Sequence, residues 1–361
     1  MSLPQYLRYK DSGVEWLGFI PEHWRVGRLK NSVLSSKGGI WGNEESFDDN
    51  DIACVRVADF DRSKLRVALE NPTIRNVLQS ERNGRILERG DLLLEKSGGG
   101  ENQLVGCVVM YEHDEQAVCS NFVARLKLAA GMVSEYWCYV HFALYALRIN
   151  YCSINQTSGI QNLDQDKYLN ESVPYPDFLE QSAIAKFLDR ETAKIDALIL
   201  EQEKLITMLA EKRKATISNA VSKGLNASVP MKDSGVEWLL QVPEHWSTGR
   251  VKQISTFITS GPRGWSEFID ENGDDIFLQS GDLNYELEIL PHQAKRVIPP
   301  KGAEGVRTRL EAGDVVVCIT GANTGRVAVV DSLPATTYIN QHLSLIRPIA
   351  SRAIPKYIAL V

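Results

Sequence analysis

A regular apolar pattern runs through residues 179–223, which contain no glycine or proline and are rich in Ala, Leu, Glu and Lys. Its apolar positions recur at spacings near three and four, the heptad pattern of a coiled-coil helix. These positions, which we call the apolar seam, are Ile184, Leu188, Ile195, Leu198, Leu205 and Leu209, with Ile199 and Ile206 widening it. Asp177 is placed to cap the first turn and Gly224 to end the last one. The pattern predicts a helix of about 45 residues, roughly 65 Å long. A seam this narrow needs a partner helix, and the helix is too long to pack only on its own domain.

On both sides of this helix the apolar residues fall into short runs between glycine-rich turns, which is typical of short strands. The predicted strands are Ile52–Val57, Asp91–Glu95, Val105–Met110, Ile276–Gln279, Val315–Ile319 and Val327–Val330, and a short helix is predicted near Glu135–Ile149. The predicted fold class is therefore α+β: two similar domains with a curved or barrel-like β-sheet, joined by a long coiled-coil-type helix.

The chain also contains a long internal repeat. Residues 10–24 and 232–246 are identical at twelve of fifteen positions, at an offset of 222. Later anchors keep the same order, as in Gly90–Leu94 with Gly313–Val317 and Gly106–Val109 with Gly325–Ala328. A period this long indicates a duplicated domain rather than a solenoid. Between the anchors the sequences differ freely, so we expect one frame that carries two different recognition surfaces.

The repeat sets the predicted domain boundaries. A first domain is expected over 1–176, a helical spacer over 177–228, and a second domain over 229–361. The second copy reaches only the counterpart of about Val140, and nothing in it matches 141–228. We therefore expect an incomplete second domain, either as a truncated form or as a natural shortened allele.

Composition limits the possible classes of protein. A hydrophobic content of 43% supports real cores, and no apolar stretch approaches the ~18 residues of a membrane span. The N-terminal segment lacks the features of a signal peptide. The six cysteines show no paired spacing, which favours neutral thiols in a reducing cytoplasm. The net charge of −6 argues against a free-standing nucleic-acid binder. Local basic clusters, Arg56–Arg66 and Lys295–Arg309, either neutralise phosphates or are ordinary solvated loop charge.

Catalytic motifs are absent from the sequence. There is no phosphate-binding GxxxxGK[ST] loop, no Asn/Asp-Pro-Pro-aromatic tetrad of an amino-methyltransferase, and no zinc-binding histidine pattern. A metal nuclease needs Glu-x-Lys after its Asp, whereas Glu95 and Lys96 are adjacent, so Asp91 is interpreted as a turn residue. The repeated Pro-Glu-His-Trp around His23 and His245 predicts a structural turn. The glycine-rich runs Ser97–Gly100 and Gly321–Gly325 either cradle phosphates or, more commonly, turn a strand.

Several of these segments together resemble the specificity (S) subunit of a type I restriction–modification system. They are the paired Lys-Asp-Ser-Gly-Val-Glu-Trp-Leu and Ile/Val-Pro-Glu-His-Trp segments, the Gly-Asp-Leu/Val turn, Thr157–Leu163, and the passage from Val173 to Asp189 that leads into the helix. The resemblance covers nearly the whole chain. It implies two target-recognition domains that each read half of a split DNA sequence, and helical regions that set the gap and dock two methyltransferase (M) subunits, which restriction (R) subunits join later. It also implies a non-catalytic subunit without cofactors of its own, with S-adenosylmethionine, ATP and Mg on the partner subunits.

The sequence departs from that family in one respect. The second helical region and the second Gly-Gln-Asn-Leu-type segment are missing, which puts monomeric rod formation, full M binding and normal restriction in question. Two chains that pair their single helices as a homodimer would supply the missing partner.

Residues that could contact double-stranded DNA are expected in the variable loops between the anchors. In the first copy they are Arg56, Arg62, Lys64, Ser97 and Asn102, and in the second copy Arg263, Trp265, Gln279, Asn284 and Asn323. Three other readings stay open. The chain is a helical protein-interaction scaffold that never touches DNA, a silent or shortened allele of the same family, or a fused methyltransferase–nuclease, which would need the missing motifs.

Overall fold

The computed structural model describes residues 6–99, 103–157 and 159–361. The chain divides into two compact units, residues 1–199 and 200–361. The division falls inside the long helix Phe178–Lys223, while the expected domain boundaries at 176 and 228 stay predictions. None of the helices in the described ranges has the length and apolar character needed to cross a membrane.

The first unit is a mixed α+β domain. Its strands are β1 (Tyr9–Asp11), β2 (Phe19–Pro21), β3 (Arg25–Arg28), β4 (Val33–Gly38), β5 (Asp51–Val55), β6 (Phe60–Asp61), β7 (Arg66–Val67), β8 (Thr73–Asn76), β9 (Leu92–Glu95), β10 (Ser97–Gly98), β11 (Val108–Met110), β12 (Ala117–Cys119), β13 (Val123–Leu128), β14 (Ile154–Thr157), β15 (Ile160–Leu163) and β16 (Ser172–Tyr175). Its helices are α1 (Ser134–Ala146), α2 (Gln165–Leu169) and the first part of α3 (Phe178–Lys223). A six-stranded sheet has the order β4-β13-β9-β11-β7-β6, and a three-stranded sheet has the order β12-β5-β8.

Strand β9 lies at the centre of this unit and is buried on both faces. Leu92 and Leu94 pack into the cluster that contains Trp137 of α1. Leu93 points the other way and packs into the cluster that contains Val55 and Tyr111. Neighbouring side chains of a strand face opposite sides, so a strand between two cores needs apolar residues at every position. This explains the Leu-Leu-Leu sequence of β9.

The second unit repeats this frame. Its strands are β17 (Met231–Asp233), β18 (Gln241–Pro243), β19 (Ser255–Ser260), β20 (Asp275–Leu278), β21 (Lys295–Val297), β22 (Val315–Cys318), β23 (Val327–Val329), β24 (Thr337–Ile339) and β25 (Leu343–Pro348), with helices α4 (Ala303–Thr308) and α5 (Pro355–Leu360). The sheet β19-β25-β22-β23 has the order of β4-β13-β9-β11, and β24-β20-β21 has the order of β12-β5-β8. The parallel pair β5 and β12 has its counterpart in β20 and β24. The duplication and the α+β fold class are confirmed.

The conserved opening motif of each copy forms a two-stranded hairpin that ends in a tight turn. The amide of Trp24 donates to the carbonyl of Pro21 over 3.0 Å, and that of Trp246 donates to Pro243 over 2.8 Å. In the first unit the indole Nε1 of Trp24 also donates to Glu180 at the start of α3, over 3.1 Å. The tight turn is confirmed, and Nε2 of His23 lies 3.0 Å from the carboxylate of Glu180 rather than at a backbone group.

Helix α3 begins and ends close to the predicted residues. The Asp177 carboxylate accepts from the amide of Glu180 over 2.9 Å, and Gly224 follows the helix with φ of 73°. Gln181 is buried near the start, where its Oε1 accepts from the indole of Trp137 over 3.1 Å. Further along, the apolar seam is exposed: Ile195, Leu198, Leu205 and Leu209 are 43–57% exposed. The helix therefore packs on the first unit only at its start and presents an uncovered apolar seam afterwards.

Candidate nucleic-acid interface

Arg56 and Gln279 occupy equivalent positions in the two units. Arg56 directly follows β5, and its amide donates to Oδ2 of Asp59 over 2.7 Å. Gln279 directly follows β20, and its amide donates to Oδ2 of Asp282, also over 2.7 Å. The backbone turn is the same, while the side chain is a cation in one unit and a neutral amide in the other. Nη2 of Arg56 lies 3.1 Å from Oδ1 of Asp59, so this cation is paired with the carboxylate that caps its turn. Both side chains are half-buried.

Arg62 is held inside the first unit by an ion pair. Its Nη2 lies 2.8 Å from Oε2 of Glu95, whose side chain is only 2% exposed. Burial raises the pKa of Glu95 above its ordinary value, and the neighbouring guanidinium of Arg62 opposes that shift. The hydroxyl of Tyr145 lies 3.5 Å from Arg62 Nη1. The charge of Arg62 is therefore neutralised by a buried carboxylate.

The remaining expected residues of the first unit lie in separate places. Lys64 is largely exposed, with Nζ 3.6 Å from Asp61, and it lines a cavity of about 520 Å³. The Ser97 hydroxyl donates to Oδ1 of Asn162 over 2.6 Å, between β10 and β15. Asn102 lies outside the described residues.

Trp265 corrects one expectation for the second unit. Its side chain is 3% exposed, and it packs against Tyr338 and Phe277 with ring centroids 5.4 and 6.0 Å apart. It therefore belongs to a small core and presents no surface to a nucleic acid. Arg263, two residues earlier, is exposed and forms no ion pair within the described part of the chain.

Asn284 and Asn323 are brought together at a cavity of about 340 Å³ in the second unit. Asn284 stabilises its own turn, since Oδ1 accepts from the amide of Glu288 over 2.8 Å and Nδ2 donates to the carboxylate of the same residue over 2.9 Å. Nδ2 of Asn323 donates to the carbonyl of Ser280 over 3.1 Å. The cavity is also lined by Tyr285 and Arg326.

Tyr285 and Arg326 were not among the residues expected from the sequence. The sequence does carry a signal for Arg326. The alignment of the two copies places Arg326 opposite Cys107, so a cation replaces a thiol between a glycine and a valine that both copies share.

The glycine-rich run Gly321–Gly325 turns a strand and offers little to a phosphate. It connects β22 to β23, and Gly321 and Gly325 have φ of 92° and 89°. The amides of Thr324, Gly325 and Arg326 donate to the carbonyls of Gly321, Cys318 and Asn323. These three N–H groups already have backbone partners, so the turn interpretation is confirmed for this run. Gly100, in the corresponding run of the first copy, lies outside the described residues.

Comparison with known proteins places this arrangement in a known fold. No family model matches the chain. A chain from a structure on the assembly and conformational transition of a type I R-M system aligns with a TM-score of 0.60 at 17% identity, covering 94% of this chain and 79% of that one. The HsdS subunit from Thermoanaerobacter tengcongensis aligns with a TM-score of 0.53 at 17% identity, covering 94% and 80%. This chain has the HsdS fold.

Within this HsdS fold, five of the six cysteines are buried. Burial raises the pKa of Cys54 and Cys107 to about 11, and of Cys119 and Cys138 to about 12. Cys152 is exposed, and none of the six cysteines forms a disulfide. Over the part of the chain that the structure describes, no group of three or more His, Cys, Asp or Glu side chains is arranged to hold a metal ion.

Proposed function

We propose that this chain is the DNA-reading specificity subunit of a type I restriction–modification complex, in which each unit reads one half of a split site. The observation that carries the proposal is the pair Arg56 and Gln279. The same strand and the same capped turn present a different hydrogen-bonding side chain in each unit. A duplicated frame with exchanged side chains suits a protein that reads two different short sequences, and the HsdS fold supports the same assignment.

In this proposal the frame sets the register and the variable side chains read the bases. Phosphate contacts position a protein on the duplex, while contacts to base edges give specificity. An arginine suits guanine and a glutamine suits adenine in the major groove, so Arg56 and Gln279 fit different base pairs. Further candidate contacts are Lys64, Ser97 and Asn102 in the first unit, and Arg263, Asn284 and Asn323 in the second.

The exposed apolar seam of α3 supports a docking role for the helix. Two long helices that bury such seams against each other form a coiled coil. We propose that the partner is a helix of the same kind, and that the resulting rod holds the units at a set spacing and binds the methyltransferase subunits. Methylation and cleavage, with S-adenosylmethionine, ATP and Mg, would belong to the M and R partner subunits.

The test is to co-express the full chain with its methyltransferase subunit and map methylated bases across the host DNA. The expected result is a new two-part motif with a fixed gap. Arg56→Gln should change only one half of the motif and Gln279→Arg only the other, since each substitution leaves the Asp59 or Asp282 cap in place. A complex that forms without new methylation, together with no salt-dependent DNA binding, would contradict the proposal and favour a protein-interaction scaffold.

A further inference from the structure

The second unit holds an arginine stacked on an exposed aromatic ring. The Cζ atom of Arg326 lies 4.4 Å from the ring centroid of Tyr285, and Tyr285 is 78% exposed. Nη1 of Arg326 donates to the carbonyl of Leu283 over 2.8 Å. The stacking and this hydrogen bond fix the plane of the guanidinium at the wall of the 340 Å³ cavity.

The charge of Arg326 has no carboxylate partner. No Asp or Glu oxygen lies within 4.0 Å of its guanidinium in the ranges that the structure describes. Asn323 lines the same cavity, and its Nδ2 is occupied by the carbonyl of Ser280, which leaves Oδ1 without a described donor. The cavity therefore combines a fixed cation with a neutral amide.

The equivalent place in the first unit is built differently. The amide of Glu95 donates to the carbonyl of Cys107 over 2.9 Å, and the amide of Cys318 donates to that of Arg326 over 2.8 Å. Cys318 thus stands where the first unit has Glu95, and Arg326 stands where it has Cys107. In the first unit the buried Glu95 neutralises Arg62. In the second unit a thiol stands in the place of that carboxylate, so the position offers no charge to neutralise a nearby guanidinium.

We propose that Arg326, held by Tyr285 beside Asn323, reads a base edge with two acceptors, such as guanine, in the half-site of the second unit. This inference rests on the proposed DNA-reading function. A planar guanidinium with a fixed orientation matches the two acceptors of guanine. A phosphate can also accept two parallel hydrogen bonds from a guanidinium, and the neutral amide of Asn323 beside Arg326 is what favours a base edge. The two units would then read DNA through different positions of one frame.

The experiment compares the full chain with Arg326→Lys and Tyr285→Ala in complex with the methyltransferase subunit, using methylated-motif mapping and binding to duplexes that differ at single base pairs. Arg326→Lys keeps the positive charge but loses the planar guanidinium and its parallel N–H donors. We expect roughly 5- to 150-fold weaker discrimination at one guanine of the second half-site, with the first half-site unchanged. Tyr285→Ala should relax the same position, and because this side chain is exposed the variant should fold.

Arg352→Gln is the matched control, since Arg352 is an exposed arginine of the same unit that does not line the cavity. Unchanged base preference in both cavity variants overturns the inference. A uniform loss of affinity over all sequences would identify a phosphate contact instead and also overturns the inference. In that case an Arg326→Ala variant would bind DNA with a slope of log affinity against log salt concentration that is smaller by about one. If the unmodified chain yields no two-part motif, the proposed function itself fails, and that result is distinct from both.

Discussion

Arg125 donates a hydrogen bond from Nε to Oδ2 of Asp91 over 2.6 Å, and both side chains are buried. The pair ties β13 to the turn that precedes β9. The second unit repeats it, with Nε of Arg347 2.8 Å from Oδ1 of Asp314. Each aspartate also caps its turn, where it accepts from the amide of the residue three positions earlier over 2.7 Å. In each unit, therefore, one aspartate both caps the turn and forms an ion pair with an arginine of a neighbouring strand.

Arg125→Met should destabilise the first unit by about 3–5 kcal/mol, because it leaves the Asp91 carboxylate buried without its cation. Burial already raises the pKa of Asp91, and Arg125 opposes that shift. Urea unfolding of the full chain, followed by circular dichroism, measures the loss.

Adding Asp91→Asn to Arg125→Met should recover part of that stability, since the buried charge is removed and an amide oxygen can still cap the turn. Arg347→Met should cost the second unit about as much, because the Asp314 carboxylate that loses its cation is 1% exposed and that of Asp91 is 4% exposed. If the double variant were as unstable as Arg125→Met alone, an uncompensated charge would not be the cause.

Much of the frame could be predicted from the sequence, whereas its ion pairs could not. Helix α3 and the strands around Leu92–Glu95 follow from local periodicity, and Asp91 was correctly interpreted as a turn residue. Its partner Arg125 lies 34 residues away. A single sequence carries no local signal for a contact of that separation, and the strand register places the second copy's arginine, Arg347, opposite Lys127 rather than Arg125.

Gly39→Ala and Gly261→Ala should each destabilise their unit by about 1–3 kcal/mol, the usual cost of overpacking. At each position the chain passes directly against a strand end. A Cβ on Gly39 would lie 2.1 Å from the carbonyl oxygen of Cys119, and a Cβ on Gly261 would lie 2.1 Å from that of Ile339. Backbone atoms cannot move aside as a flexible side chain can. Thermal unfolding of the full chain measures both effects.

Gly281→Ala is the matched control in the second unit. A Cβ there meets nothing within 4 Å, and φ at Gly281 is not positive. The substitution should leave stability unchanged or raise it by up to about 1 kcal/mol, since alanine restricts the unfolded chain. A loss at Gly281 equal to that at Gly261 would show that steric contact is not the reason.

The first unit should become less stable as the pH falls from 6.5 to 5, because of His141. Full burial lowers the pKa of His141 to about 3, against about 6.5 in an unfolded chain. In this range the unfolded state takes up a proton that the folded state does not bind, so the free energy of unfolding falls with a slope that approaches about 1.4 kcal/mol per pH unit near pH 5. The contribution of His141 is fully present above pH 6.5. Urea unfolding at several pH values measures the slope.

His141→Asn should reduce by one the number of protons that the chain takes up on unfolding, and so lower the slope of the free energy of unfolding against pH. Asparagine does not titrate, and it can place a polar atom near Nδ1, which lies 2.7 Å from the hydroxyl of Tyr168. Carboxylates titrate mostly below this range, so they do not mask the difference. An unchanged slope in the variant would assign the pH dependence to other groups.

The candidate site was predictable only in part. The sequence predicts Arg56 and Gln279 each from its own loop, and the fold places them at one equivalent position. Trp265 was wrongly expected at the surface, because an aromatic residue in a glycine-rich loop carries no signal of whether it folds inward. Tyr285 and Arg326 lie 41 positions apart in the sequence, and they meet because the 283–289 loop lies against β23, where the amide of Val329 donates to the carbonyl of Leu287 over 2.8 Å.

Leu198→Lys with Leu205→Lys should weaken docking of a partner helix at least tenfold and leave both units folded. These side chains are 57% and 43% exposed in the chain alone, so lysine costs little there. In a coiled coil they would be buried, and each leucine contributes about 1.5–3 kcal/mol on burial. Co-purification measures binding to the methyltransferase subunit. Light scattering of the chain alone measures pairing of two copies through the helix.

Leu200→Lys is the control for the seam. Leu200 is 69% exposed, but it lies on the opposite face of the heptad, so association should be unchanged. Equal loss in Leu200→Lys and in the seam variant would mean that added charge, rather than the seam, disrupts docking.

Inserting one heptad after Leu209, as a copy of Glu203–Leu209, should lengthen the gap of the recognised motif by about three base pairs. Seven helical residues add about 10.5 Å, and base pairs are spaced by about 3.4 Å. The insertion keeps the seam in register, and the two units are untouched, so both halves of the motif should stay the same. Methylation mapping of the host DNA reads the gap directly.

A four-residue insertion at the same place separates spacing from helix pairing. It adds about 6 Å, but it breaks the heptad and turns the rest of the seam away from its partner. We expect weaker docking of the methyltransferase subunit and less methylation from this variant. If the heptad insertion gave full methylation with an unchanged gap, α3 would not act as the spacer, because a longer rod between two fixed readers has to move their half-sites apart.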